Sequence, residues 1–270
     1  MFEIISAQNR KFKLWAKLLH RKYRDRELAY LIEGKTLIAD ASDAGADIRE
    51  IIFCGSGVSP AEELGACLAR SLDKVPQYAL SPELYSNLTQ TENGRSVMAL
   101  VTRTDYGIED ITGRRGAGLL ILDRLQDPGN IGTIIRTADA AGMSGIIALK
   151  GTADIYSPKV VRAAAGSLFR MPVAFADSPG EAADAVRAAG LKLVASGFDT
   201  DVTVFDADLR GGAAVIIGNE GGGISPELMK TSDIIVTIPM SGHTDSLNAS
   251  VAAGIIMYEC VRQNTYSERG

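Results

Sequence analysis

The chain has 270 residues, 46% of them apolar, with 28 Lys/Arg against 33 Asp/Glu and a net charge of −5. That length accommodates one large domain or two ordinary ones; no apolar run is long enough to span a bilayer and residues 1–10 lack a signal-peptide core, so a soluble, cytoplasmic chain is expected. Three scattered cysteines (Cys54, Cys67, Cys260) and two histidines (His20, His243) exclude a disulfide framework and a histidine-rich metal centre, and the thiols are expected to be free and buried.

Asn9 can cap a helix over 11–24, where Phe12, Trp15, Leu18 and Leu19 recur at helical spacing and basic residues fill the other face. Residues 1–35 hold nine Lys/Arg (Arg10, Lys11, Lys13, Lys17, Arg21, Lys22, Arg24, Arg26, Lys35) against four acids (Glu3, Asp25, Glu27, Glu33). That leader therefore carries +5 and the other 235 residues −10. A basic leader on an acidic body suits a negatively charged partner held locally; a solvated helix face is the plainer alternative. A strand follows over 29–32, a helix over 35–44 and a strand over 48–53. Pro60 opens a helix over 61–72. A strand over 75–80, a short helix over 82–88 and a strand over 97–101 complete an α/β unit of domain size.

Residues 106–117 exchange apolar periodicity for glycine and charge, as a linker does. The second half then alternates again. Strands are predicted over 119–122, 145–149, 172–175, 191–195, 213–217 and 234–238. Helices are predicted over 131–141, 158–165, 181–189, 225–230 and 247–263. Alternation of this kind specifies a parallel sheet covered on both faces. The predicted organisation is 1–105, a linker at 106–117, and 118–270.

Ligands of such sheets bind outside the carboxyl ends of strands, and three strand ends carry unusual loops. The first runs from Asp123 through Pro128, Gly129 and Asn130 into a helix bearing Gly132, Arg136 and Asp139. Asn130 can cap that helix, and free amides at its start can accept an anion. Arg136 can grip a phosphate bidentately, or pair with Asp139 at i+3. The second is the glycine-rich loop from Gly218 to Ser225, with Glu220 inside it. It is either a ligand cradle or an ordinary strand-to-helix turn. It is not the dinucleotide fingerprint, because the first strand of this half lacks that loop; this argues against a nicotinamide oxidoreductase. The third runs from Ile238 through Met240, His243, Ser246 and Asn248 into the last helix. There Leu247, Val251, Gly254, Ile255 and Tyr258 form an apolar stripe suited to core or to a helix-on-helix subunit contact.

Together the loops resemble the three motifs of the SpoU (TrmH) family of the SPOUT superfamily. The matching residues are Asn130-x-Gly132-x-x-x-Arg136-x-Ala138, then Gly218-x-Glu220-x-x-Gly223, then Ile238-Pro239-Met240 with Ser246-Leu247-Asn248-x-Ser250. This resemblance covers about 118–262, and 1–105 resemble, more weakly, an L30e-like substrate-binding domain. It implies a SPOUT-type parallel α/β sheet with a C-terminal trefoil knot, a homodimer, and S-adenosyl-L-methionine as cofactor. It further implies an RNA (ribose-2′-O)-methyltransferase acting on ribosomal RNA. The alternatives are a transfer-RNA ribose methyltransferase or a non-catalytic ribosome-assembly protein. By the same resemblance Gly218, Ile238 and Leu247 contact the cofactor, largely through backbone. Asn130, Arg136, Glu220, Ser246 and Asn248 surround the reacting ribose, and no metal takes part. Arginine is too weakly acidic to serve readily as a base, so Arg136 reads first as a phosphate clamp that stabilises the developing alkoxide. The general-base role proposed in the family requires its prior deprotonation. His243 and Thr244 match no family role.

Overall fold

The computed structural model describes residues 1–89, 96–114, 116, 118–197, 200–242 and 246–266. The chain forms two compact units, Met1–Thr104 with Tyr156–Phe169, and Asp105–Ile155 with Arg170–Gly270.

The first unit contains, in order, β1 (Phe2–Ile4), α1 (Arg10–Lys17), α2 (Arg21–Glu27), β2 (Ala29–Glu33), α3 (Lys35–Asp43), β3 (Ile48–Cys54), α4 (Pro60–Leu64), α5 (Ala66–Ser71), β4 (Gln77–Leu80), α6 (Pro82–Ser86) and β5 (Val97–Thr102). Its strands lie in the order β1-β4-β3-β5-β2. Pairing is parallel for β1–β4 and β3–β4 and antiparallel for the two ladders of β5. Asn9 caps α1, as expected, through its side chain on Lys11 N. The single helix expected over 11–24 is two helices. Leu28 ends the second in the left-handed conformation, and Arg24 is buried at the corner with its Nη1 donating to Leu18 O at 2.5 Å. That guanidinium is structural and does not belong to the exposed basic face. The helix expected over 61–72 also breaks, at Gly65 with φ +84°. β1, three residues long, was not predicted.

The second unit contains α7 (Ile108–Thr112), β6 (Leu119–Asp123), α8 (Pro128–Ala140), β7 (Ile146–Leu149), β8 (Val173–Ala176), α10 (Pro179–Ala188), β9 (Lys192–Ser196), β10 (Ala213–Gly218), α11 (Pro226–Thr231), β11 (Ile234–Val236) and α12 (Ala249–Val261); α9 (Pro158–Ala163) lies between β7 and β8 in sequence but belongs to the first unit. Sequence alone placed that segment with 118–270. Likewise 106–117, read as a linker, contains α7, whose Ile108 and Ile111 at i, i+3 are buried in the second unit's core.

All five strand pairs of this sheet are parallel, in the order β11-β9-β10-β6-β7-β8. Every residue of β6 is buried, which matches its unbroken apolar run. The chain moves outward from β6 through β7 to β8, then returns to the other side through β9 and β10. Strand order therefore reverses between β6 and β10, and their carboxyl ends mark the switch point where a parallel sheet opens a crevice. No helix among the described residues is long and apolar enough to cross a membrane. The three cysteines are free, but only Cys260 is buried; Cys54 is half-buried and Cys67 exposed.

Candidate active site

The loops after β6 and β10 are joined by a carboxylate. Glu220 Oε2 accepts from Gln126 N at 3.1 Å, and Oε1 accepts from Asp127 N at 3.0 Å and from Asn130 Nδ2 at 3.1 Å. Burial works against the Glu220 charge, but these amides, its own backbone N–H and Asn130 outweigh it and hold the carboxyl below its ordinary range.

The cap of α8 is Asp127, not Asn130. Its side chain accepts from Asn130 N at 2.7 Å, and Pro128 occupies the first helical position. Asn130 consequently lies within the first turn, buried to 8% exposure. Of the amides expected to await an anion, that of Asn130 is taken by Asp127, and Glu220 takes those of Gln126 and Asp127 just before the helix.

Asn130 also reaches the third loop. Its Oδ1 accepts from Asn248 Nδ2 at 2.8 Å. Asn248 caps α12, with Oδ1 accepting from Ser250 N at 2.9 Å and Ser250 Oγ at 2.6 Å. The helix therefore begins at Ala249, two residues later than expected. A polar chain Glu220–Asn130–Asn248–Ser250 thus links all three motifs.

Two local features fix the glycine loop. A Cβ on Gly218 would lie 2.4 Å from Gly223 C, so only glycine fits, and Gly223 adopts φ +63°. Asn219 closes the turn, its Oδ1 accepting from Gly221 N and Gly222 N at 3.0 and 2.8 Å. On the facing strand end, buried Asp123 accepts from Ser225 N at 2.5 Å and from Arg124 Nε at 2.8 Å. Arg124 holds φ +59°, a conformation that costs a non-glycine residue about 1–3 kcal/mol. The turn is kept because the Arg124 carbonyl accepts from Asn219 Nδ2 at 2.9 Å and Gln126 Nε2 at 3.0 Å.

These loops wall a cleft of about 490 Å³. Asn130, Gly218, Glu220, Ile238, Ser246, Leu247 and Asn248 all line it. Seven of the eight residues singled out by sequence are thereby brought together. Ser196 and Gly197, after β9, complete one wall and were missed; their signal was only their position at a strand end. His243 and Thr244 lie outside the described residues. Among the described residues no cluster of His, Cys, Asp and Glu could hold a metal ion.

Arg136 does not line the cleft. It is exposed on α8, and Asp139, its expected partner, instead accepts from Arg170 Nη2 at 2.7 Å. α12 packs against α8, and a Cβ at Gly254 would stand 3.7 Å from Thr137 Cγ2. Val251 and Tyr258 of the predicted stripe face outward at 49% and 52% exposure, while Ala253, Ile256, Met257 and Cys260 make the buried face. The stripe is not core.

Comparison with known proteins agrees with this architecture. The SpoU rRNA methylase family matches residues 118–258, and the MRM3-like substrate binding domain matches 9–99. The 23S rRNA (guanosine(2553)-2′-O)-methyltransferase of Bacillus subtilis is 33% identical over 96% of this chain and 98% of its own length. The 23S rRNA (uridine(2479)-2′-O)-methyltransferase of Streptomyces viridochromogenes is 38% identical over 96% and 92%. Among solved structures, the AdoMet-bound rRNA methyltransferase of Sinorhizobium meliloti superposes with a TM-score of 0.84 at 33% identity, covering 96% of this chain and 97% of that one. The SpoU methyltransferase AviRb of Streptomyces viridochromogenes, in complex with AdoMet, gives 0.83 at 36% identity over 95% and 98%. With its family motifs gathered on one cleft at the switch point of an all-parallel sheet, this chain belongs to the SpoU rRNA methylase family.

Proposed function

We propose that the chain transfers a methyl group from S-adenosylmethionine to a ribose 2′-hydroxyl of 23S-type ribosomal RNA. The observation that carries this reading is the convergence of three loops on one cleft, with the Glu220–Asn130–Asn248 chain at its wall. Two relatives matching nearly the whole chain are named for 23S rRNA, which favours ribosomal over transfer RNA. Their names cite a guanosine and a uridine, so what they share is the ribose, not the base.

The cleft suits the cofactor. Its volume falls in the range of small-molecule sites, and the tight Gly218–Gly223 approach keeps side chains away from the backbone there. Gly218, Ile238 and Leu247 would hold the cofactor. When bound, S-adenosylmethionine supplies a methyl group carried on a positively charged sulfur. The protein's own task is to align a poor nucleophile and help it shed its proton. Asn130 and Asn248 are locked by each other and by Glu220, so they present fixed polar edges to the ribose beside Ser246. Arg136, exposed on α8 outside the cleft, would clamp the adjoining phosphate through its planar fork and so fix the ribose that carries the 2′-oxygen.

The reading extends to the assembly. The outward stripe of Val251 and Tyr258 on α12 supports a homodimer through the second unit, and the basic leader supports RNA binding by the first. The C-terminal trefoil knot, and a cytoplasmic location beside ribosomal RNA, belong to the same reading. The test is methyl transfer to 23S rRNA from a strain lacking the enzyme, with the product mapped by mass spectrometry. One methylated ribose supports the proposal; a methylated base, or no transfer with cofactor bound, refutes it.

A further inference from the structure

We propose that the margin of the first unit where Phe2, Tyr78 and Lys11 meet is a stacking platform for an unpaired RNA base, with the basic stripe of α1 taking the adjoining phosphates. The proposal rests on the RNA-methylating function argued above and names a surface that carries the substrate.

Phe2 and Ile4 share one face of β1, because side chains alternate along a strand. Ile4 is buried at 4% exposure in the core with Trp15, whereas Phe2 remains 64% exposed. Phe2 is in register with Tyr78 of β4, and the two rings lie 5.6 Å apart at 32°. Beneath them, fully buried Trp15 meets Tyr78 edge-on at 5.2 Å. Trp15 Nε1 donates to the buried carboxylate of Glu50 at 2.7 Å, and Lys11 pairs with the same carboxylate while standing 5.5 Å from the Tyr78 ring centre. The ladder is thus anchored from the core outward and open at its last ring. The charge of Lys11 is taken by Glu50, and the exposed cations of α1 lie beyond it; an exposed aromatic on a packed ladder beside a positively charged helix face is the arrangement that takes a nucleobase.

The surroundings choose the occupant. Arg10, Lys13 and Lys17 are all exposed and fall at i, i+3 and i+7, on one side of α1. That stripe spans about 10 Å from the platform end of the helix. Glu3, the nearest carboxylate in sequence, alternates to the other face of β1. A second copy of the chain docking here would bring two positive stripes together, and an unpaired RNA strand brings the opposite charge.

The experiment measures binding of the full chain to a fluorescein-labelled oligouridylate by anisotropy. Calorimetry with S-adenosylmethionine and light scattering serve as controls. Phe2 is exposed, so its variants retain the fold. Phe2→Ala is expected to weaken RNA binding about 5- to 100-fold, the loss of one stacked base, with cofactor affinity and oligomeric state unchanged. Phe2→Trp should keep the affinity, and Phe2→Leu, apolar but unable to stack, should behave like alanine. Wild-type affinity in Phe2→Leu or in Phe2→Ala overturns the platform while leaving the methyltransferase reading intact. A change of oligomeric state in Phe2→Ala overturns it in favour of a self-contact. A wild-type chain that neither binds RNA nor methylates it overturns both.

Discussion

Asn130 donates its Nδ2 hydrogen to Glu220 Oε1 at 3.1 Å, joining the loops after two strands through residues 90 apart in sequence. The contact requires a neutral donor facing a charged acceptor. Asn130→Asp would set two carboxylates together. Glu220 has its carboxyl held below the ordinary range, so its stabilising contribution in the natural chain is present above about pH 4.3 and is lost as pH falls through the lowered folded value. In Asn130→Asp that order is reversed: repulsion raises the folded pKa of the pair, and stability is lowest at neutral pH and improves on acidification. Thermal melts from pH 4 to 8 check this, with a deficit of roughly 2–6 °C expected at pH 7.5. A deficit independent of pH would contradict it.

Asn248 has two duties that substitutions separate. Its Oδ1 caps α12 and its Nδ2 donates to Asn130. Asn248→Ala removes both and should cost about 1 kcal/mol of stability from the cap. Asn248→Asp keeps a cap and loses the donor. It should melt above the alanine variant, because the cap remains, yet transfer methyl groups about 10-fold more slowly. Equal melting losses in both variants would show that the cap is not the stabilising part.

A Cβ at Gly218 would meet backbone at 2.4 Å, whereas a Cβ at Gly242 would meet nothing within 4 Å. Gly218→Ala is expected to lower S-adenosylmethionine affinity roughly 5- to 100-fold through the forced shift of Gly223 and Ile224. Gly242→Ala should bind as wild type. Isothermal titration of the pair distinguishes a close-approach site from a general effect of replacing loop glycines.

The first unit's share of RNA binding is best tested by charge, not by truncation. Tyr156–Phe169 belong to that unit although they lie between β7 and β8, so deleting 1–105 would strip partners from buried Val160, Val161 and Leu168. Replacing Lys13 and Lys17 with alanine should weaken RNA binding and lower the slope of log affinity against log salt by about 0.7–0.9 per cation. An unchanged slope would remove the stripe from the interface.

Much of this was legible in the sequence, for identifiable reasons. The strands at 119–122 and 213–217 are unbroken apolar runs, which a buried parallel sheet demands, and the loops after them carry the motif residues. What escaped depended on three-dimensional context. The turn at 18–20 keeps helical spacing on both sides, so two helices read as one. Asp127-Pro128 is a stronger start signal than Asn130, and the motif's asparagine drew attention from it. The helix at 108–112 offers only Ile108 and Ile111 amid glycine and charge. The packing of 156–169 with the first unit leaves no trace in a local pattern, because a buried helical face reads alike whichever core receives it.

The central claim is that the cleft holds the methyl donor while Arg136, outside it, serves the RNA. Arg136 is exposed on α8, and its nearest acidic neighbour on that helix, Asp139, is engaged by Arg170. The most direct test pairs titration of S-adenosylmethionine with single-turnover methylation of 23S rRNA by Arg136→Ala and Arg136→Lys. Cofactor affinity within about twofold of wild type is expected in both variants. Transfer should fall by roughly 100-fold or more in alanine and be badly impaired in lysine, which keeps the charge but not the fork. A loss of cofactor affinity in proportion to rate, or near-normal turnover in Arg136→Ala, would contradict the account.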